Sequence, residues 1–192
     1  MNMVFGVGIN DADYTVHQVV NGKRVMCLAY RAWANMMMRC YSHKYHAMRP
    51  TYIGVTVCDD WKSFMAFRSW WLDNHVVGWD LDKDLLTDEG VYSPGACIYV
   101  PKWLNNFTAS HGSARGDLPI GVCYCKRDEK YIARCNHPFG KVRNIGRFVT
   151  PREAHLAWLS SKLEIAEELK GRMDDIDTRI YSRIVEIINR AI

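Results

Sequence analysis

No run of about eighteen apolar residues occurs in the chain, so the sequence offers no membrane-spanning helix. The opening stretch MNMVFGVGINDADY lacks the basic-then-apolar layout of a secretory leader, and the expected location is a cytoplasm. No Cys-x-x-Cys pair is present, and seven cysteines in 192 residues is an odd number. The cysteines therefore read as reduced thiols or metal ligands rather than as a disulfide framework. Gly6-Val7-Gly8 lacks the third glycine and the strand-turn-helix setting of a dinucleotide loop, so it points to no phosphate. A strong overall charge is missing too, the formal balance being +4.

Apolar residues make up 48% of the chain, enough for one ample core or two small domains. The charge is uneven. From Gly121 to Arg152 there are eight Lys or Arg against two acids, Asp128 and Glu129, a local balance of +6. Such an excess suits a phosphate backbone, although a solvated basic face would look the same.

Two β-prone runs in residues 14–30 flank Asn21-Gly22, which predicts a hairpin. Helical spacing of Trp33, Met37 and Tyr41, and then of Trp61, Phe64, Phe67, Trp70 and Trp71, predicts helices over 29–41 and 60–74, the second capped by Asp59 or Asp60. These aromatic stripes read as scaffold. The polar, Gly-containing run TASHGSARGD reads as a linker. Beyond it come three short β-like runs, 121–126, 130–137 and 141–148, and a helix opening at Thr150-Pro151-Arg152-Glu153, with Thr at N-cap, Pro at the first position and Glu at the third. After Gly171, Ile176, Ile180, Ile184 and Ile187 or Ile188 form a stripe over 174–192 that either folds back or pairs with another chain, as in a homodimer.

Residues 79–107 combine a strand ending in Leu81-Asp82-Lys83-Asp84, a second strand Cys97-Ile98-Tyr99-Val100, and a short segment Lys102–Phe107 that sets Asn105 five residues past Val100. This layout resembles the HNH, or His-Me finger, endonucleases, in which a two-stranded ribbon and a helix hold one divalent ion. The Tyr92-Ser93-Pro94-x-x-Cys97 link and the Val100-to-Asn105 spacing resemble phage members. The resemblance implies that Asp82 and Asn105 hold the metal, and that Lys83 stands where the family usually has a His acting as base. Hard oxygen ligands suit Mg²⁺ or Mn²⁺. Lys83 is a poor base, because Asp82 and Asp84 favour its charged form. It is better suited to stabilising charge on the phosphate, which leaves deprotonation to His75 or to the metal's own effect on water. The same residues would also suit a solvated turn, with Asn105 capping a helix. Cys40, Cys58 and Cys97, with His43 or His46, offer a less favoured structural zinc site.

The run from Gly121 to Glu168, with Lys130-Tyr131-x-Ala133 and Ile145-Gly146-x-Phe148-x-Thr150-Pro151-x-Glu153-Ala154, resembles the sheet-plus-helix DNA-binding domain of plant ethylene-response factors, which phage and homing endonucleases also carry. The resemblance implies a sheet face in the major groove. Strand alternation turns Tyr131, Ala133 and Cys135 to the helix and sends Arg134 and Asn136 outward, joined by Asn144. Arg134 would read guanine and Asn136 or Asn144 adenine, while Lys126, Arg127, Lys130, Lys141 and Arg147 hold phosphates, and Arg143 joins the DNA-binding set. Cys123 and Cys125 stand where plant versions tend to carry arginine.

The expected architecture is α+β: an HNH-like ribbon on a helical scaffold over 1–110, a linker over 111–117, a DNA-binding domain over 118–170 and a C-terminal helix over 171–192. The expected function is a phage-type endonuclease acting on double-stranded DNA with Mg²⁺ or Mn²⁺ in a bacterial host cytoplasm. The alternatives are a non-catalytic relative that occupies its site on DNA, and a structural or inhibitory protein acting through the isoleucine helix.

Overall fold

Asn21 and Gly22 both take left-handed backbone, φ 52° and 74°, the conformation a two-residue hairpin turn demands. They join β1 (His17–Val20) to β2 (Lys23–Met26), with Val20 opposite Lys23. The computed structural model describes residues 3–108 and 117–190. It is a mixed α and β fold that divides into two units, Met1–Tyr99 and Val100–Ile192.

In the first unit α1 (Leu28–Tyr41) packs on α3 (Phe64–Asn74), and the aromatic stripes form the expected core. Trp33 and Phe64 are fully buried, and the Trp33 indole donates to the Trp61 carbonyl at 2.7 Å. Gly8 lies against the same ring: a Cβ there would stand 2.8 Å from the Trp33 indole, so this glycine serves close packing.

The start of α3 differs from expectation. Residues Asp60–Lys62 form a 3₁₀ turn, and Ser63 caps the helix by accepting from the Ala66 amide at 3.1 Å. Asp11 completes this cap, accepting from the Ser63 hydroxyl and the Met65 amide. Asp59 instead pairs with Lys62. Between the two helices lie α2 (His43–Met48), a 3₁₀ turn Pro50–Tyr52 and β3 (Thr56–Val57), none of which the apolar periodicity announced. After α3 comes β4 (Asp80–Asp82), and β3 runs parallel to β5 (Val91–Tyr92), setting Val57 beside Tyr92. The strand β6 (Ile98–Val100) pairs with β4 in a two-stranded sheet.

The second unit begins with α4 (Lys102–Thr108), whose Leu104 and Phe107 are buried. It holds an antiparallel sheet of β7 (Val122–Cys125), β8 (Lys130–Cys135) and β9 (Arg143–Phe148), in that order. α5 (Pro151–Glu168) covers one face, entered through the expected capping box of Thr150 and Glu153. Gly121 has φ +81°, and a Cβ there would fall 2.1 Å from the Trp158 indole, so only glycine fits at the foot of β7.

The C-terminal stretch is broken into α6 (Lys170–Asp174) and α7 (Arg179–Asn189), with Asp177 accepting from the Arg179 amide where α7 starts. Ile180, Ile184 and Ile188 are buried and α7 packs on α5, so the isoleucine stripe is covered within its own chain rather than offered to a second copy. The division between units falls at Tyr99 and Val100, and α4 belongs with the sheet because the Lys162 ammonium of α5 donates to the Phe107 carbonyl at 2.8 Å. The expected linker, 111–117, lies outside the described residues except for Asp117. Among the described residues, no helix is long and apolar enough to cross a membrane.

Candidate nuclease ribbon and nucleic-acid interface

At the end of β4 the Asp82 carboxylate folds back on its own chain. Its Oδ1 accepts from the amides of Asp84 and Leu85, both at 2.8 Å, which ties the carboxylate to its own turn. Burial holds its pKa above the ordinary aspartate value, against the opposing pull of those amides. Such a carboxylate is a hard, preoriented oxygen donor, and the residue type fits Mg²⁺ or Mn²⁺.

Lys83 points the other way. It is 6% exposed, its ammonium pairs with the Asp84 carboxylate, and it stands 5.9 Å and 5.7 Å from the ring centroids of Tyr52 and Tyr92. An ammonium over two aromatic faces gains from both ring quadrupoles. Arg39 approaches the same Tyr52 ring at 6.0 Å. Burial pushes the nearby Cys40 and Cys97 thiols up to about 12, so both stay protonated at neutral pH. The Tyr92-Ser93-Pro94 link is a turn in which Ser93 accepts from the Ala96 and Cys97 amides.

His75 ends α3, its ring stacked on Trp71 at 4.1 Å and edge-on to Tyr99 at 5.1 Å. Burial lowers its pKa, which leaves the imidazole neutral at physiological pH. Asp82, Lys83 and His75 belong to the first unit. Asn105 belongs to the second, on α4, where its amide donates to the Pro101 carbonyl.

Among the described residues, no three His, Cys, Asp or Glu side chains gather as a metal-holding group. Of the residues weighed for zinc, His46 is bonded to the Arg39 carbonyl at 2.8 Å. A Mg²⁺ held largely by water and phosphate requires no such gathering. Sequence reasoning missed the aromatic walls around Lys83. Tyr52 follows a Pro-Thr turn and Tyr92 opens the Tyr-Ser-Pro link, but only the parallel β3–β5 pairing encloses the lysine.

In the second unit alternation sorts the charged residues by face. Ala133 and Cys135 are buried under α5, while Arg134 and Asn136 are exposed. A bulge between Ala133 and Arg134 leaves Ile145 as the extra residue, and the register then sets Arg134 opposite Asn144. Arg147 lies opposite Ile132 on the outward face and pairs with Asp128 at 3.0 Å, and Arg127 engages the same carboxylate at 2.9 Å. Arg143 goes to the helix side, opposite buried Cys135. Its guanidinium takes Glu168 at 2.6 Å and Glu164 at 3.6 Å, holding the Glu168 carboxyl below its usual value. Lys126, Lys130, Arg134 and Lys141 have no carboxylate partner among the described residues. No protein-family model matches the chain, and neither curated proteins nor solved structures give a match.

Proposed function

We propose that the protein binds double-stranded DNA through the outward face of β7, β8 and β9 and hydrolyses its backbone with a divalent ion held at the β4–β6 ribbon, as an HNH-like endonuclease. The observation that carries the DNA half is the register that pairs Arg134 with Asn144 on an exposed face. A guanidinium and a carboxamide suit guanine and adenine edges. Lys126, Lys130 and Lys141, which have no carboxylate partner among the described residues, join this pair as phosphate contacts. The cleavage half is supported by the order of β4, β6 and α4 and by the preoriented Asp82.

When bound, Mg²⁺ or Mn²⁺ would neutralise charge on the phosphate and acidify a water. Asp82 would hold it. Lys83, paired with Asp84 and walled by tyrosines, holds the ribbon's shape and takes no proton from water. His75 is neutral and so able to accept one.

The inward ammonium of Lys83 also favours a second reading, in which the ribbon is scaffold and the protein acts by occupying a DNA site. Supercoiled plasmid separates the two. The expected result is relaxation with Mg²⁺ or Mn²⁺ that Asp82→Ala abolishes without loss of DNA binding. Inert wild type that still binds plasmid would leave the occupied-site reading. Cleavage that survives Asp82→Ala would put the chemistry elsewhere.

A further inference from the structure

The outward sheet face is not uniformly polar. Its register gives three rows: Cys125 beside Lys130; Cys123, Ile132 and Arg147; and Arg134 beside Asn144. The middle row begins with a thiol and an aliphatic side chain. Cys123 is exposed and Ile132 half-buried, whereas their neighbours Val122 and Ala133, one position along each strand, are buried under α5. Cys123 and Ile132 therefore form an apolar strip in the centre of a face whose margins carry Lys126, Lys130, Arg134 and Lys141.

We propose that this strip recognises thymine, with Cys123 and Ile132 lying against 5-methyl groups in the major groove. The inference rests on the DNA-binding reading above and deepens it. In the major groove adenine, guanine and cytosine show only donors and acceptors, while thymine adds a methyl group, the one apolar mark on a base edge. Ile132 has no hydrogen-bonding side-chain group and a thiol is a weak one. Opposite a guanine or cytosine edge they would leave buried base groups unpaired, which is unfavourable. Opposite a thymine methyl they cover apolar surface. The cations at the margins, without carboxylate partners among the described residues, make the fitting occupant a polyanion rather than an apolar protein face.

Residues two apart on a strand are roughly 6.8 Å apart, about twice the base-pair rise of roughly 3.4 Å. Where the strands follow the groove, the thymine read by Ile132 stands roughly two base pairs from the guanine read by Arg134.

The test uses the full chain and a synthetic duplex pool with a randomised core. Bound duplexes are recovered, sequenced and remade with deoxyuridine in place of thymidine, which removes the methyl and nothing else. The expected enrichment is thymine roughly two base pairs from guanine, and deoxyuridine should weaken binding about fourfold for each contacted methyl, the transfer value of one buried carbon. The pair Cys123→Ser and Ile132→Asn, which removes both apolar groups from the strip, should bind thymidine and deoxyuridine duplexes alike. Equal affinity of wild type for both duplexes overturns the thymine reading and leaves DNA binding standing. Recovered duplexes with no enriched sequence overturn the thymine reading alone, and failure to recover any duplex overturns both. The substitution in the DNA reports even if the protein variant does not fold.

Discussion

Each unit turns one lysine inward, and the two are held in opposite ways. In the first unit the Lys83 ammonium pairs with the Asp84 carboxylate and sits between tyrosine faces. In the second, Lys162 donates to the Phe107 backbone carbonyl at 2.8 Å and stands 3.4 Å above the Phe107 ring. No carboxylate accompanies it among the described residues, and burial pushes its pKa down to about 8. A carboxylate lets a lysine enter a fold as a charge, whereas burial without one favours the neutral amine even beside a carbonyl and a ring. The first lysine is a structural strut, and the second makes its unit's stability rise in mild alkali.

The largest effect expected is that of Lys83→Ala. It deletes a buried stem and two ring contacts and leaves space between Tyr52 and Tyr92, so it should lower stability by about 2–4 kcal/mol in urea unfolding. A change below about 0.5 kcal/mol would mean the ammonium is not anchored, and the contrast with Lys162 would collapse.

The pH dependence of Lys162 sharpens the comparison. Its folded pKa, about 8, lies below the unfolded value of 10.5. Between these limits the unfolded chain binds the extra proton, so stability rises with pH across that window and the penalty is fully present below about 8. Lys162→Met should therefore stabilise the protein near pH 7 by about 1–3 kcal/mol, and the advantage should shrink toward pH 10.5. The wild-type-minus-variant difference from urea unfolding at several pH values reports this group alone. A flat difference would show that the ammonium is adequately solvated.

Smaller effects separate the outward cations from the inward ones. Arg134→Ala should weaken duplex DNA binding by about 1–3 kcal/mol and relax preference at one position, read by fluorescence anisotropy. Arg143→Ala should change DNA affinity least of the sheet's arginines, because its guanidinium faces Glu164 and Glu168, and should change stability little in urea unfolding. A larger binding loss for Arg143→Ala than for Arg134→Ala would invert the assignment of faces.

Much of the fold was legible because it rests on local rules. Asn21-Gly22 selects its turn by backbone sterics, and Thr150 with Glu153 starts α5 by satisfying amides within one turn. Alternation along β8 told Arg134 from Ala133. The start of α3 was misplaced because its cap needs Asp11, far back in the chain, to order Ser63. The candidate site was legible as residue types and much less as geometry. Asp82's hold on its own turn is local, whereas Lys83's surroundings come from Tyr52 and Tyr92, which only the β3–β5 pairing brings together.

Arg143 marks the same limit. As part of a basic run it looks like a phosphate contact, yet the bulge at Ile145 and the packing of α5 set it against Glu164 and Glu168. Sequence by itself determined the Asn21-Gly22 turn, the start of α5 and the alternation along β8, since these depend on neighbours a few residues away. Tertiary structure decided which cations reach solvent and which are neutralised. That outcome depends on carboxylates and rings supplied from distant segments, whose approach no local spacing encodes.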